Sequence, residues 1–367
     1  MGKIANMAIF TAFICLVATP AGFAGNISHS PNQSFYIRPV FNYATIWAHS
    51  DDLETFAWQK FPSFEINIGK QTTGEKAWEY EYNFPSYGGG TAIFDFADPS
   101  LGTAVSGFGY VNFCLTRSKD ISFLIRLATG VGYFSNIYDP EDNPENLAVS
   151  TPLNVYFNLG AHLKFSLSDH LSLSAGGGLA HFSNGAFRKP NRGLNIFKTS
   201  VALRYNFYPD ISYHREPPDQ PEKKKTGFTM LLAGGVMQPK EGDPNYNVQT
   251  FSFNLTQKLN HVQRWGAGFD FFYNSKVSEE LASQNKPDTF IKTLRNGIYI
   301  SHELLFENLA IVKNLGIYLP HEINPPKPYY QRLGLRYYIT ENSMVNVSLI
   351  AHRAVAEVVE WGVGYSF

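Results

Sequence analysis

The segment from Leu171 to Ser183 alternates in residue type, and one of its two rows ends in a pair of residues that can do chemistry. The odd positions are Leu171, Leu173, Ala175, Gly177 and Leu179, followed by His181 and Ser183; the even positions are Ser172, Ser174, Gly176, Gly178 and Ala180. Side chains at i and i+2 of a strand share a face, so the imidazole and the hydroxyl continue the apolar stripe. Polar groups on a lipid-facing stripe are costly unless they are wet, paired or functional. An imidazole near a hydroxyl is also what general-base activation of a serine nucleophile requires. Alone, the His-x-Ser spacing is a weak signal, because short motifs recur by chance and an ordinary interfacial histidine is the commoner outcome.

The following segment strengthens it. From Asn195 to Phe207 the odd positions are Asn195, Phe197, Thr199, Val201, Leu203, Tyr205 and Phe207, with Lys198, Ser200, Arg204 and Asn206 among the even ones. If residues 185–194 join antiparallel neighbours, Asn195 comes near His181 and Ser183 across the ladder. Three polar residues then meet at one membrane-facing spot, and an ester held in the bilayer leaflet is the natural substrate for a serine presented outward.

The elements that must position these residues are strands. Ile121 to Tyr133 alternates in the same way, and so, with varying regularity, do stretches near residues 33–47, 62–71, 104–116, 153–167, 226–237, 247–259, 263–273, 291–306, 308–319, 328–340 and 343–352. The last stretch sets Trp361, Val363, Tyr365 and Phe367 against Glu360, Gly362, Gly364 and Ser366, an aromatic terminal strand similar to the assembly signal of outer-membrane barrels. Gly88-Gly89-Gly90 and Gly176-Gly177-Gly178 lie in strand-like context and indicate close packing rather than phosphate cradles. A soluble β-sandwich also alternates, but it needs neither the aromatic final residue nor so many Tyr and Phe near strand ends. The expectation is all-β: one transmembrane antiparallel barrel with an even number of strands, roughly 12 to 16. Arg126, Arg204, Arg336 and Glu360 then face its lumen.

Composition agrees. The chain has 367 residues, 44% hydrophobic, 15% aromatic and 17% charged, with a formal net charge of -1. That is too apolar and too nearly neutral for a disordered chain, and no global positive field exists to hold nucleic acid. Lys3, the uncharged run Ala8 to Ala18 and the small-residue stretch Gly22-Phe23-Ala24 read as a secretory signal peptide over residues 1–24. Removing it takes Cys15 and leaves Cys114 alone, so no intramolecular disulfide is expected in the barrel of residues 25–367. Residues 214–226, with three prolines and three consecutive lysines, read as an exposed polar connection between two halves of the barrel. The ten histidines are dispersed, with no ligand spacing, so neither metal nor cofactor is expected.

The stretch His181-Phe182-Ser183-Asn184, followed by Pro190-Asn191 and Gly193, resembles the outer-membrane lipid A 3-O-deacylases of the PagL type, the acyloxyacyl hydrolases. Weaker resemblance runs through Trp47-Ala48-His49-Ser50, Asn143 to Asn154, and Tyr330 to Phe367. This chain is much longer than the eight-stranded founding members. The resemblance implies a bacterial outer-membrane enzyme that hydrolyses the ester-linked acyl chain at the 3 position of lipid A without a metal. Its substrate partner would be lipid A or lipopolysaccharide in the outer leaflet, and its biogenesis partner the barrel assembly machinery. Ser183 would be the nucleophile and His181 the base; Asn191 matches an asparagine near the oxyanion site, and backbone N–H groups around Asn184 and Gly185 could add donors.

The third triad member departs from the pattern, because the family's glutamate falls on Asn195. An amide can orient a histidine but stabilises the imidazolium less, and an amide swap that yields the wrong tautomer costs about 10⁴-fold. Glu303 and Glu307 are the acids that could substitute. The alternative function is a non-catalytic outer-membrane barrel, a pore or structural protein, derived from that family. Clustering of His181, Ser183 and Asn195 on the barrel exterior separates the two.

Overall fold

The computed structural model describes residues 34–118, 120–208, 213, 225–323, 325, 327–353 and 355–367. Among these residues sixteen strands form two separate closed barrels. The first contains β1 (Ser34–Ile46), β2 (Lys60–Gln71), β3 (Ser86–Asp95), β4 (Thr103–Arg117), β5 (Ile121–Phe134), β6 (Leu153–Ser166), β7 (Leu171–Ser183) and β8 (Leu194–Asn206). Neighbours pair antiparallel in chain order, and β8 returns to β1 in a register running from Tyr36 opposite Asn206 to Ile46 opposite Ile196. The second contains β9 (Lys225–Met237), β10 (Tyr246–Lys258), β11 (Gln263–Asn274), β12 (Leu294–Phe306), β13 (Leu309–Tyr318), β14 (Tyr329–Tyr338), β15 (Ser343–His352) and β16 (Val355–Ser366). It closes where β16 pairs with β9, Trp361 opposite Gly234 and Ser366 opposite Thr229.

The expected single barrel of 12 to 16 strands is therefore corrected to two barrels of eight. Alternation reports which residues face in and which face out, but not which strand edges meet; that depends on β1–β8 and β9–β16 pairings between segments far apart in the chain. The chain divides into two compact units, one holding β1–β8 and the other β9–β16 with the short segment 185–189. Residues 1–24, read as a signal peptide, lie outside the described residues, as do residues 214–224 of the polar connection. The strand that periodicity passed over is β3, where Gly88, Gly89 and Gly90 supply no side chains to alternate.

Both barrels invert the burial of a water-soluble domain. Along β2 the exposed residues include Phe64, Ile66 and Ile68, whereas Ser63, Glu65, Asn67 and Gln71 are buried. Apolar-out, polar-in alternation is the requirement of a lipid-facing wall. Among the described residues no helix is long and apolar enough to cross a membrane, a statement that leaves strands untouched.

An eight-stranded interior is just wide enough for side chains to fill it, and here they do. In the first barrel Glu65 pairs with Lys198, Arg126 lies 3.8 Å from Glu65 and donates to Asn67 Oδ1 at 2.8 Å, and the Arg126 guanidinium covers the Tyr110 ring at 4.1 Å. In the second, Arg332 bridges Asp270 and Glu360 at 3.1 Å each, and Arg336 reaches Glu303 at 2.6 Å. Buried charge is tolerable only when paired in this way. Arg126, Arg204, Arg336 and Glu360 are all buried within their barrels, on the lumen side expected of them.

Candidate functional site

One end of the first barrel is closed by an apolar cluster that includes Leu53, Phe56, Phe61, Phe94, Phe96, Phe134, Tyr156, Phe182, Leu194 and Ile196. Phe182 is fully buried and meets Phe94 edge-on at 5.3 Å and Phe134 at 5.1 Å. Because side chains alternate, a ring pinned inward at 182 obliges His181 and Ser183 to point outward on either side of it. Leu194 and Ile196, both fully buried, do the same for Asn195. The outward residues are fixed from behind by a core they do not enter.

The ladder then sets the neighbours. His181 stands directly opposite Asn195 in the β7–β8 pair and opposite Phe157 in the β6–β7 pair. His181 Nδ1 lies 2.7 Å from Asn195 Oδ1. An amide oxygen only accepts, so Nδ1 carries the proton and Nε2 is the basic nitrogen. Asn195 Nδ2 lies 2.9 Å from His49 Nδ1, and His49 Nε2 lies 3.1 Å from the Arg192 carbonyl. Trp47 extends the β1–β8 ladder, its N–H donating to the Asn195 carbonyl at 2.9 Å, and its indole stacks on Phe197 at 5.1 Å.

Ser183 occupies the same outward row as His181, one i, i+2 step along β7. Its Oγ accepts a hydrogen bond from Asn191 Nδ2 at 3.0 Å, and Asn191 is itself oriented by the Asn184 N–H, which donates to its Oδ1 at 3.3 Å. The Asn184 side chain is buried and donates to Ser150 Oγ at 3.2 Å. His181, Ser183, Asn195, Asn184 and Asn191 are thus brought together on the first barrel. Gly185, with a left-handed φ of +65°, falls in the segment grouped with the second unit. Glu303 is committed to Arg336 at 2.6 Å and Arg264 at 3.0 Å inside the second barrel, so its carboxylate is spent where it stands. Glu307 lies in the turn between β12 and β13 at φ +58°.

Gly193 explains how the loop passes so near the imidazole. Its φ is +74°, and a Cβ there would stand 2.9 Å from His181 Cε1 and 2.9 Å from the Phe182 carbonyl. Only glycine adopts that backbone without strain and leaves room for the ring. The loop is anchored by Arg192 N–H to the Leu147 carbonyl at 3.0 Å and Gly193 N–H to the Ala148 carbonyl at 2.9 Å, with an exposed Arg192–Asp52 ion pair at 2.5 Å.

Beside the polar cluster lies an apolar groove of about 660 Å³ on the same unit, lined by Tyr43, Leu159, Gly177, Leu179, Phe197 and Thr199 among others. Leu179 and Phe197 pair one outward step from His181 and Asn195, and Gly177 and Thr199 one step further. The Ser183 hydroxyl, the His181 imidazole and the Asn191 and Asn195 amides thus lie at the head of an apolar trough. Among the described residues no group of three or more His, Cys, Asp or Glu is placed to hold a metal ion.

The residue missed in the sequence is His49. The stretch Trp47-Ala48-His49-Ser50 carried resemblance but no role, and its proximity to Asn195 depends on barrel closure between β1 and β8, for which no local pattern exists.

Two family models match the chain: lipid A 3-O-deacylase (PagL) over residues 55–204, and the C-terminal domain of acyloxyacyl hydrolase over residues 226–367. Among solved structures, Neisserial surface protein A matches at 11% identity with a TM-score of 0.34, covering 47% of this chain and 97% of that one. The outer membrane enzyme PagL matches at 17% identity with a TM-score of 0.30, covering 45% and 97%. The Pseudomonas putida toluene transporter TodX matches at 8% identity with a TM-score of 0.17, covering 97% and 92%. These structural likenesses are weak, and barrel closure rests on the strand pairing itself. No curated protein sequence matches the chain significantly.

Proposed function

The chain belongs to the PagL family of lipid A 3-O-deacylases, and from that premise we propose that it is an outer-membrane serine ester hydrolase acting on lipid A or lipopolysaccharide in the outer leaflet, releasing the acyl chain esterified at the 3 position. The observation that carries the proposal is the outward cluster on β7 and β8: His181 hydrogen-bonded to Asn195 at 2.7 Å, with Ser183 beside it in contact with Asn191 at 3.0 Å. Catalytic polar groups on a lipid-facing wall have a use when the substrate is itself a lipid.

The chemistry follows from the tautomer. His181 Nε2 removes the Ser183 proton as Oγ attacks the ester carbonyl. The protonated imidazole then returns a proton to the departing sugar hydroxyl, and water hydrolyses the acyl-serine by the same route in reverse. Asn191 Nδ2, which donates to Ser183 Oγ at 3.0 Å, supports an oxyanion role in this reading: once Oγ is bonded to the acyl carbon, the Asn191 N–H turns to the neighbouring oxyanion. The groove lined by Leu179 and Phe197 takes the acyl chain. Asn195 orients the imidazole but brings no negative charge to the imidazolium, which predicts slower turnover than a carboxylate would support.

The second reading, a non-catalytic barrel descended from an enzyme, is favoured by that same amide. Its pore version fits poorly with interiors filled by the Glu65 and Arg332 networks. Incubating the full-length protein with lipid A in detergent and reading the acyl pattern by mass spectrometry tests the proposal. Loss of one 3-O chain that disappears with Ser183→Ala supports it; an unchanged pattern, or one equally changed by the variant, contradicts it.

A further inference from the structure

We propose that His49 is a positioning residue that fixes the orientation of the Asn195 amide and, through it, the tautomer of His181. The inference rests on the hydrolytic reading above and supplies what the missing carboxylate leaves open. Both oxygens of a carboxylate accept, so either can face a histidine. An amide has one accepting end and one donating end, and it serves a base only when the oxygen faces the imidazole.

The polarity is set from the far end of the chain of contacts. The Arg192 carbonyl can only accept, so His49 Nε2, 3.1 Å away, donates to it. A neutral His49 then presents a bare Nδ1, which accepts from Asn195 Nδ2 at 2.9 Å. The amide oxygen is left facing His181, whose Nδ1–H donates to it at 2.7 Å. With Nδ1 protonated, His181 keeps Nε2 as its base. Turning the amide over would aim an N–H at His181 Nδ1, force the proton onto Nε2 and remove the base. It would also set Asn195 Oδ1 against an unprotonated His49 Nδ1, two acceptors facing each other. The carbonyl that anchors the relay is itself held in place, because the N–H groups of Arg192 and Gly193 donate to the Leu147 and Ala148 carbonyls.

His49 acts through Asn195, and the test separates that action from simple packing. In full-length protein, His49→Ala is expected to lower kcat on the order of 10- to 100-fold, the scale of losing a partner that orients a functional histidine, with KM little changed. The same change in an Asn195→Asp background is expected to cost a small fraction of that, because a carboxylate has no wrong way round. An equal loss in both backgrounds, or no loss in either, overturns the proposal. Nitrogen-15 NMR of His181 reads the tautomer without any turnover: the Nδ1–H form in the unaltered protein and a mixture in His49→Ala supports the relay, and an unaltered Nδ1–H form in the variant overturns it. If the unaltered protein leaves lipid A unchanged, or Ser183→Ala changes it equally, the hydrolytic reading fails while the NMR result still decides whether His49 sets the tautomer.

Discussion

His181 and His352 occupy comparable places in two barrels of the same strand number, near the end of the seventh strand of each, and they face opposite ways. His181 lies on the outward row of β7, paired across the ladder with Asn195 and followed on its row by Ser183. His352 ends β15 on the inward row, buried, with Nε2 3.1 Å from Tyr318 Oη and Nδ1 3.5 Å from Glu357. A shift of one residue moves a side chain from one face of a sheet to the other. Parity alone thus makes one imidazole part of an interior polar network and presents the other to the surroundings beside a serine. Both interiors hold paired charges, which is structural; the first barrel in addition places an imidazole, a hydroxyl and an amide on the outward rows of β7 and β8, with a second amide, Asn191, in the loop beside them.

The difference can be broken most forcefully at the two histidines. His181→Ala is expected to reduce lipid A deacylation by several orders of magnitude, as loss of a base in a serine hydrolase does, while His352→Ala leaves kcat unchanged; initial-rate assays on both variants check this. A smaller effect is expected from the residues that set the parity. Phe182→Ala empties an aromatic position inside the first barrel and is expected to cost about 3–5 kcal/mol of stability, together with a fall in kcat as β7 loosens. Phe272→Ala, which removes a buried ring packed on Tyr330 at 5.1 Å in the second barrel, is expected to destabilise comparably and leave kcat intact. Urea unfolding in detergent read alongside activity distinguishes the two.

Gly193→Ala is expected to cost about 1–3 kcal/mol through its left-handed backbone and to lower kcat by displacing the His181 ring, which an activity assay and a melting curve resolve. The smallest change is expected at the exposed Arg192–Asp52 pair. Asp52→Ala removes an interaction worth at most about 1 kcal/mol at such exposure, so a shift in melting temperature near the limit of detection with full activity is the expected outcome.

The legible part of this molecule was whatever a two-residue period can carry. The alternation around Leu171–Ser183 and Asn195–Phe207 placed three polar residues on one outward face, and the register His181 opposite Asn195 brings them together. Alternation was read in fifteen of the sixteen strands and passed over in β3, where three consecutive glycines have no side chains to report a face and leave only Thr91 to Asp95 alternating. Closure was not legible. Whether β8 meets β1 or a ninth strand is decided by edges more than a hundred residues apart, so one large barrel and two small ones write the same local pattern. His49 was hidden for the same reason: its contact with Asn195 exists only because β1 closes against β8.

The central claim, that Ser183 is an activated nucleophile facing lipid, is tested most directly by labelling the full-length protein in detergent with a long-chain alkyl fluorophosphonate and mapping the adduct by peptide mass spectrometry. The account predicts one adduct, on Ser183, that is lost in His181→Ala. Absence of an adduct on Ser183, or one that forms equally well without the His181 imidazole, would contradict it.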